Sequence, residues 1–228
     1  MGVSKLPDDM QIDNAVFAPH YYDYSSFQSP FHWFGFPPSA VLDMNVRKAK
    51  KMGTPFLLGE YGAPPRHKRN RDYMIAINDG LDENFWSATQ WSFTPAWTFE
   101  KKDGWNFEDF SVLDDKREWR DNWIWRPYLR SVAGVPLSFK VDMDTKSTSF
   151  LWDQDPTLIN RTTEIFFPRA EFFGLNSDPK ISIKALTRSK FPSGHQNIAE
   201  CSYDDIARVV SCMAPQGGIH GITISPVP

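Results

Sequence analysis

The alternation of short apolar runs with helical segments in the first half of the chain constrains its fold most. Apolar runs typical of buried strands lie at residues 15–19, 55–59 and 86–93. Segments with helical periodicity follow them at residues 41–52, 71–85 and 116–125. Strands that alternate with helices form parallel sheets with right-handed crossovers. The sequence therefore predicts an α/β unit of three strands, each followed by a helix.

The second half of the chain has a different pattern. Short apolar segments, separated by turns rich in Pro, Asn, Asp and Gly, lie at residues 137–143, 149–152, 163–167, 181–186, 207–213 and 221–225. The absence of helical periodicity between them is typical of an antiparallel β-sandwich. We place the boundary near Leu129 and predict an α/β domain over residues 1–128 and an all-β domain over residues 129–228.

The number of strand–helix units limits what the first domain can be. A complete α/β barrel has eight such units in about 250 residues, whereas this sequence contains three. Three parallel strands with an unpaired side leave an exposed edge, which natural proteins avoid. The unit is therefore either a small open sheet or the C-terminal part of a larger barrel. The start of the sequence just before the first apolar run favours the larger barrel.

Composition and charge bear on the class of partner. The 228 residues are 41% hydrophobic and 23% charged, as in ordinary globular proteins. A net charge of -3 does not favour a nucleic-acid partner. No apolar run approaches the roughly 20 residues of a membrane span, and residues 1–14 lack the apolar core of a secretory signal. We therefore expect an intracellular protein.

The chain has two cysteines, Cys201 and Cys212, and they lie far from any metal-ligand spacing. We expect them to be free buried thiols. The alternative is that they face each other across a hairpin. We accordingly expect neither a bound metal nor a cofactor.

Polar and aromatic residues follow each predicted strand of the first domain. His20-Tyr21-Tyr22-Asp23 follows the first strand, Glu60 ends the second, and Gln90-Trp91-Ser92-Phe93-Thr94 ends the third. A carboxylate at the end of a buried strand needs partners, and catalytic residues of α/β barrels lie at these strand ends. Three strands that end in such residues at the same edge of the sheet predict one side of an active site. The alternative is a structural Glu60 that pairs with Arg66 or Lys68.

Three of these stretches resemble glycoside hydrolase family 5. They are His20-Tyr21-Tyr22, Gly59-Glu60-Tyr61-Gly62 and Gln90-Trp91-Ser92-Phe93. The nearest branch includes endoglycoceramidases, glucosylceramidases and fungal enzymes that act on glycosylated lipids and sterols. The resemblance implies the sixth, seventh and eighth strands of a TIM (β/α)8 barrel. It also implies that residues 126–134 lead into the C-terminal β-sandwich of that branch.

The resemblance assigns roles to four residues of this sequence. Glu60 is implied as the nucleophile, which attacks the anomeric carbon and forms a glycosyl-enzyme intermediate. Tyr22 is implied to hydrogen-bond the nucleophile and help hold it ionised. His20 lines the same subsite and contacts the substrate or the second carboxylate, and Trp91 stacks on the sugar. The implied partner is a carbohydrate or glycolipid substrate.

The sequence departs from the family at the second catalytic carboxyl group, for which it has no counterpart. Retaining glycosidases need two carboxyl groups about 5–5.5 Å apart, and the acid/base of this family is the Glu of an Asn-Glu pair that ends the fourth strand. Asp82-Glu83-Asn84 lies in a predicted helix instead. The other glutamates without such a setting are Glu100, Glu108, Glu118, Glu164, Glu171 and Glu200.

Two hypotheses of different class therefore stand. The first is the C-terminal portion of a retaining β-glycosidase whose acid/base lies outside this chain. The second is a catalytically inactive module with a structural or carbohydrate-associated β-sandwich.

For two further segments, the sequence leaves open whether they contact lipid. The aromatic loop at residues 27–36 either receives a lipid aglycone or folds onto the surface and buries its own rings. The basic run at residues 66–71 either meets anionic head groups at a membrane surface or is an ordinary solvated loop. In both cases the second alternative is the one we expect.

Overall fold

The structure is a computed structural model that describes residues 13–23, 38–65, 68–105, 108–120, 124–158, 161–174, 180–185 and 199–227. The chain divides into two compact units, Met1–Asp121 and Asn122–Pro228. The predicted boundary, between residues 128 and 129, lies a few residues further along the chain. Among the described residues, no helix is both long and apolar enough to cross a lipid bilayer.

The first unit contains a parallel three-stranded sheet with two helical crossovers. Its strands are β1 (His20–Tyr21), β2 (Leu57–Tyr61) and β3 (Ser87–Gln90), in the order β1-β2-β3. Both strand pairs are parallel. Helix α1 (Pro38–Met52) connects β1 to β2, and helix α2 (Lys68–Asn84) connects β2 to β3. The predicted parallel sheet is confirmed, and β2 is its central strand.

Both helices of this unit form because their apolar residues recur at helical spacing. Residues three or four apart lie on one face of a helix, so each helix buries a single stripe. The buried positions are Leu42, Val46 and Ala49 in α1, and Met74, Ile77 and Leu81 in α2. Gly53 follows α1 with a φ of 67°, the left-handed conformation that commonly ends a helix.

The predicted third helix, over residues 116–125, is wrong for the residues that the structure describes there. Residues 116–120 form a turn that the side chain of Asp114 organises, because its Oδ1 accepts the backbone N–H of Glu118 at 2.8 Å. Arg117 adopts a φ of 64°, which interrupts any helix at this point. The apolar spacing of the segment is that of a helix, and the aspartate at its start overrides it.

The second unit contains two four-stranded antiparallel sheets. Its strands are β4 (Tyr128–Ser131), β5 (Gly134–Asp142), β6 (Ser147–Gln154), β7 (Thr163–Phe166), β8 (Ile181–Ala185), β9 (Glu200–Asp204), β10 (Val209–Met213) and β11 (Gly218–Pro226), and a short helix α3 (Arg169–Phe173) follows β7. One sheet has the order β4-β7-β10-β9 and the other β5-β6-β11-β8. The predicted antiparallel strands are confirmed, while their packing as a sandwich stays a prediction.

Strand β6 shows how this unit builds its core. Alternate residues Thr148, Phe150, Trp152 and Gln154 are buried, as expected for a strand with one covered face. The rings of Phe150 and Trp152 stack with centroids 5.1 Å apart, and His220 stacks on Trp152 at 5.4 Å. The core of this unit therefore accounts for part of the aromatic share of the sequence.

The two cysteines form a disulfide, so the expectation of free thiols is wrong. Cys201 on β9 and Cys212 on β10 are direct partners in the antiparallel ladder, with Cα atoms 4.1 Å apart. Opposite positions of such a ladder bring side chains within bonding reach. The alternative of a pair across a hairpin is the correct one. The sequence prediction missed it because β9 was not recognised as a strand.

Candidate active site

The candidate site lies where the three parallel strands of the first unit end. Glu60 occupies the central strand β2, and the ladder pairs it with His20 of β1. On the other side, Tyr61 pairs with Gln90 of β3, and the backbone N–H of Trp91 donates to the Tyr61 carbonyl at 2.9 Å. Because the carboxyl ends of parallel strands share one edge of the sheet, the polar groups that follow them converge.

Two of the predicted site residues contact the Glu60 carboxylate directly. The Tyr22 hydroxyl donates to Oε2 of Glu60 at 3.0 Å, and Nδ1 of His20 lies 3.1 Å from the same oxygen. Within the described part of the chain, neither a hydrogen bond nor an ion pair reaches Oε1. The side chains of Glu60 and His20 are 34% and 56% exposed, so a solute can reach the carboxylate. His20, Tyr22 and Glu60 are called the Glu60 site below.

The surroundings of Tyr22 keep its phenol protonated, so that it can donate a hydrogen bond. Burial, the hydrogen bond to Glu60, and the negative charges of Glu60 and Glu108 all raise the pKa of the Tyr22 phenol well above its usual value. The phenol therefore stays protonated across the neutral range. Phe110 packs edge-on against the Tyr22 ring with centroids 5.6 Å apart, which fixes the direction of the hydroxyl.

The glycines on either side of Glu60 are needed for close packing. A Cβ on Gly59 would lie 2.9 Å from the carbonyl oxygen of Ala18 and 3.1 Å from the ring of His20. A Cβ on Gly62 would collide with the carbonyl oxygen of Trp91. Both neighbouring strand ends therefore approach β2 only because these positions lack a side chain. The Gly-Glu-Tyr-Gly motif is thus a packing requirement of the strand that carries Glu60.

Tyr61 shows that alternate residues of β2 have different environments. Its hydroxyl donates to Oδ1 of Asn78 on α2 at 2.8 Å, and both side chains are buried. Glu60 and Tyr61 thus occupy opposite faces of the strand, as the strand period requires.

The structural alternative for Glu60 was an ion pair with Arg66 or Lys68. The pair with Lys68 is not seen, because the Lys68 ammonium pairs with Asp72 at 2.7 Å. Arg66 lies outside the described residues.

Trp91 is held beside the site by its backbone and by its ring. The indole Nε1–H donates to Oε2 of Glu108 at 3.2 Å, and the ring is half-buried. The sequence prediction placed Glu108 among the carboxylates without a catalytic setting. The structure instead links Glu108 to Trp91 and sets its charge close enough to act on Tyr22. No motif marks it, because the contact spans 17 residues of irregular chain.

Several other predictions cannot be placed on the structure. The aromatic loop at residues 27–36, together with Arg66 and His67, lies outside the described residues. Across the residues that are described, no group of three or more His, Cys, Asp or Glu side chains has an arrangement that could hold a metal ion.

Comparison with protein families finds a match in the second half of the chain. Residues 126–222 match the glycoside hydrolase family 5 C-terminal domain. This range begins just before β4 and ends within β11, so it covers most of the second unit.

Comparison with individual proteins gives relatives of related kinds. A glucosylceramidase from Rhizopus delemar is 27% identical over a 148-residue alignment, which covers 50% of this chain and 22% of that protein. Sterylglucosidase 1 from Cryptococcus neoformans superposes with a TM-score of 0.73 at 15% identity, over 97% of this chain and 39% of that structure. Endo-glycoceramidase II from Rhodococcus sp. superposes with a TM-score of 0.62 at 19% identity, over 92% of this chain and 42% of that structure. The chain therefore spans less than half the length of each relative.

Proposed function

Since the chain belongs to glycoside hydrolase family 5 through its C-terminal domain, we propose that it is the C-terminal portion of a retaining β-glycosidase with Glu60 as nucleophile. The observation that carries the proposal is the Glu60 site. A partly exposed carboxylate ends the central parallel strand, and Tyr22 and His20 contact one of its oxygens at 3.0 and 3.1 Å. Parallel strand ends are where barrel enzymes hold catalytic groups.

We infer that the first unit supplies the last three strands of a TIM (β/α)8 barrel. The order β1-β2-β3, with parallel pairing and helical crossovers, is that of consecutive barrel strands. The superposed sterylglucosidase extends well beyond this chain, which covers 39% of it. The remaining strands, and the acid/base carboxyl group, would then belong to residues outside this chain. The two sheets of the second unit would pack as the C-terminal β-sandwich.

The proposed reaction follows from the chemistry of two carboxyl groups. An oxygen of Glu60 attacks the anomeric carbon and forms a carboxylate–sugar bond as the glycosidic carbon–oxygen bond breaks. The leaving oxygen takes a proton from the acid/base residue, which then removes a proton from the water that releases the sugar. Because both contacts fall on Oε2, Oε1 is the oxygen available for attack.

The neighbouring residues would prepare this attack. Tyr22, which stays protonated, donates to Oε2 and keeps the carboxylate in one orientation. His20 is the more exposed contact and can turn towards substrate hydroxyls. The half-buried ring of Trp91 would form the floor of the sugar subsite, since sugar faces pack on aromatic rings.

The substrate class comes from the relatives. The names of the three relatives refer to glycosides of ceramide or sterol. We accordingly propose a β-glucoside or related glycoside with a lipid or sterol aglycone. Contact with a membrane surface would follow from such a substrate.

The proposal is tested by trapping the intermediate. We define the extended polypeptide as this chain joined to the upstream strand–helix units that complete the barrel. A 2-deoxy-2-fluoro-β-glucoside with a dinitrophenolate leaving group should label it at Glu60. The fluorine slows both formation and hydrolysis of the glycosyl-enzyme, because both transition states resemble an oxocarbenium ion. The good leaving group speeds formation alone, so the intermediate accumulates. The readout is peptide mass spectrometry. Glu60→Gln should lose the label and about 10⁴-fold or more in kcat, whereas the exposed Glu118→Gln should retain both. Labelling of another residue would overturn the assignment.

The inactive-module hypothesis has one observation in its favour: the sequence contains no Asn-Glu dipeptide. This chain by itself should not hydrolyse an aryl β-glucoside, since loss of one catalytic carboxyl group removes several orders of magnitude in rate. If the extended polypeptide is equally inactive and takes up no label, the inactive module becomes the better description.

The compartment is a separate question. The sequence predicts an intracellular protein, whereas the Cys201–Cys212 disulfide is a bond more typical of oxidising compartments. Thiol alkylation of the protein taken from its own cells decides between them. Two alkylated cysteines would support the intracellular placement, and none would support an oxidising compartment.

A further inference from the structure

Glu108 is a second carboxylate that adjoins the Glu60 site. Its Oε2 accepts a hydrogen bond from the indole Nε1–H of Trp91 at 3.2 Å. An indole N–H bond lies in the plane of its ring, so the carboxylate sits at the ring edge and does not cover the ring face. A sugar stacked on Trp91 would therefore have the Glu108 carboxylate beside its rim.

The backbone around Glu108 is fixed independently of Trp91. The Glu108 N–H donates to the Trp105 carbonyl at 2.9 Å, and the Glu108 carbonyl accepts from the Asp103 N–H at 3.0 Å. The Asp103 carboxylate in turn accepts from the backbone N–H groups of Phe110 and Ser111 at 2.7 and 3.1 Å. These bonds hold the chain on both sides of Glu108, so its carboxylate is preorganised.

The same segment packs against the Glu60 site. Phe110, two residues after Glu108, lies edge-on to the Tyr22 ring, and Tyr22 donates to Glu60. The influence of the Glu108 charge on the Tyr22 phenol, beside burial and Glu60, agrees with this proximity. One packed cluster thus contains both carboxylates and the Trp91 ring.

The hydrogen-bonding capacity of Glu108 is not filled by the part of the chain that the structure describes. There, the Trp91 indole is its one side-chain donor, and no Lys or Arg forms an ion pair with it. An ionised carboxylate accepts about four hydrogen bonds, and a half-buried one is unfavourable without donors. Equatorial sugar hydroxyls are such donors, and they project from the rim of a stacked pyranose ring.

We propose that Glu108 is a specificity-determining residue whose Oε1 accepts a hydrogen bond from an equatorial hydroxyl of the sugar stacked on Trp91. The inference rests on the proposed function, because it places a sugar in this subsite. A glycoside that lacks this hydroxyl, or carries it in the axial position, would be a poor substrate.

The test is a coupling measurement on the extended polypeptide. The substrates are 4-nitrophenyl β-D-glucoside and its 3-, 4- and 6-deoxy analogues, and the variants are Glu108→Gln and the control Glu118→Gln. For the parent glucoside, Glu108→Gln should lower kcat/KM about 10- to 100-fold, as for loss of a hydrogen bond to a charged group. For one deoxy analogue the same substitution should have almost no effect, because the hydroxyl that it reads is already absent.

The outcomes separate this inference from a structural role and from the proposed function. Equal losses on all four substrates, matched by Trp91→Phe, would mean that Glu108 only holds the Trp91 ring, and would overturn the inference. So would a Glu108→Gln variant that behaves like Glu118→Gln. In both cases the trapped Glu60 intermediate would still stand. Absence of both turnover and Glu60 labelling in the unsubstituted protein would overturn the proposed function and this inference together.

Discussion

Two polar clusters, one in each unit, differ in how far their groups are bonded to other protein groups. In the second unit, the buried side chains of Trp152 and Gln154 bond to protein groups: the Trp152 indole donates to Gln154 at 3.1 Å, and the Gln154 amide donates to the Leu158 carbonyl at 2.9 Å. In the first unit, Glu60 and His20 remain partly exposed at a strand end, and their contact uses one carboxylate oxygen. Polar groups that satisfy one another stabilise architecture, whereas a half-satisfied carboxylate at a strand end is available for chemistry.

The aromatic side chains differ in the same way. Phe150 and Trp152 of the second unit are fully buried in a stacked pair. In the first unit, Phe93, Phe99 and Trp105 are 63%, 67% and 62% exposed, in the segment that follows β3. The high aromatic content of the sequence therefore has two physical causes. One is a packed core. The other is a set of exposed rings in the segment that follows Trp91.

The largest expected contrast in stability is between two tryptophans. Trp152→Ala should lower the free energy of unfolding by about 3–5 kcal/mol, because it leaves a cavity in a closed core. Trp91→Ala should lower it by about 1 kcal/mol or less, since the ring is half-buried and its neighbours can relax. Peptide-resolved hydrogen exchange measures each unit by itself. Equal losses of protection would contradict the distinction between core ring and site ring.

The disulfide should stabilise one unit selectively. Removing the bond with the double variant Cys201→Ser/Cys212→Ser should lower the free energy of unfolding of the second unit by about 2–3 kcal/mol, as expected for a short closed loop. Hydrogen exchange in β9 and β10 should rise, while exchange in β2 stays unchanged. The matched control is Ser202→Ala, on the same strand. An effect that spreads to β2 would mean that the two units do not unfold separately.

Local patterns in the sequence predicted most of the described strands and the two long helices α1 and α2. The run at residues 55–59 overlaps β2, and the alternation at residues 137–143 and 149–152 overlaps β5 and β6. These elements are readable because burial imposes a period on each of them separately. Glu60, His20 and Tyr22 were identified as site candidates because each lies at or just beyond the end of an apolar run, a position that sequence order reveals.

What the sequence did not reveal depends on contacts between distant residues. The Cys201–Cys212 bond requires the register of β9 and β10, and β9 alternates too weakly to be recognised. The turn at Asp114 depends on one side chain that overrides helical spacing. Glu108 acquires its setting only through the Trp91 indole. Long-range geometry of this kind leaves no local period.

Tyr22 offers a smaller contrast, between loss of function and loss of stability. Tyr22→Phe in the extended polypeptide should lower kcat/KM about 10-fold or more, because it removes a hydrogen bond to Glu60, the proposed nucleophile, while the free energy of unfolding falls by only about 1 kcal/mol. Tyr128→Phe, at an exposed position in the second unit, is the matched control and should change neither quantity. A Tyr22→Phe variant with unchanged kinetics would remove Tyr22 from the catalytic site.

The smallest expected effect is the contribution of Tyr21 to the loss of stability of the first unit in alkali. Burial, with the negative charge of Asp23, raises the pKa of Tyr21 to about 12 from an ordinary value of about 10. A group whose pKa is higher in the folded state contributes stability that is fully present below its unfolded pKa and is lost as the pH rises through its folded pKa. The first unit should therefore lose stability between about pH 10 and 12. Because Tyr21 is only half-buried, its share is about 1 kcal/mol. Urea unfolding at pH 8 and at pH 11 measures this change. Tyr21→Phe should reduce the difference in unfolding free energy between pH 8 and pH 11, whereas Tyr128→Phe should leave it unchanged. An identical pH dependence in both variants would show that the Tyr21 phenol ionises as freely in the folded chain as in the unfolded one.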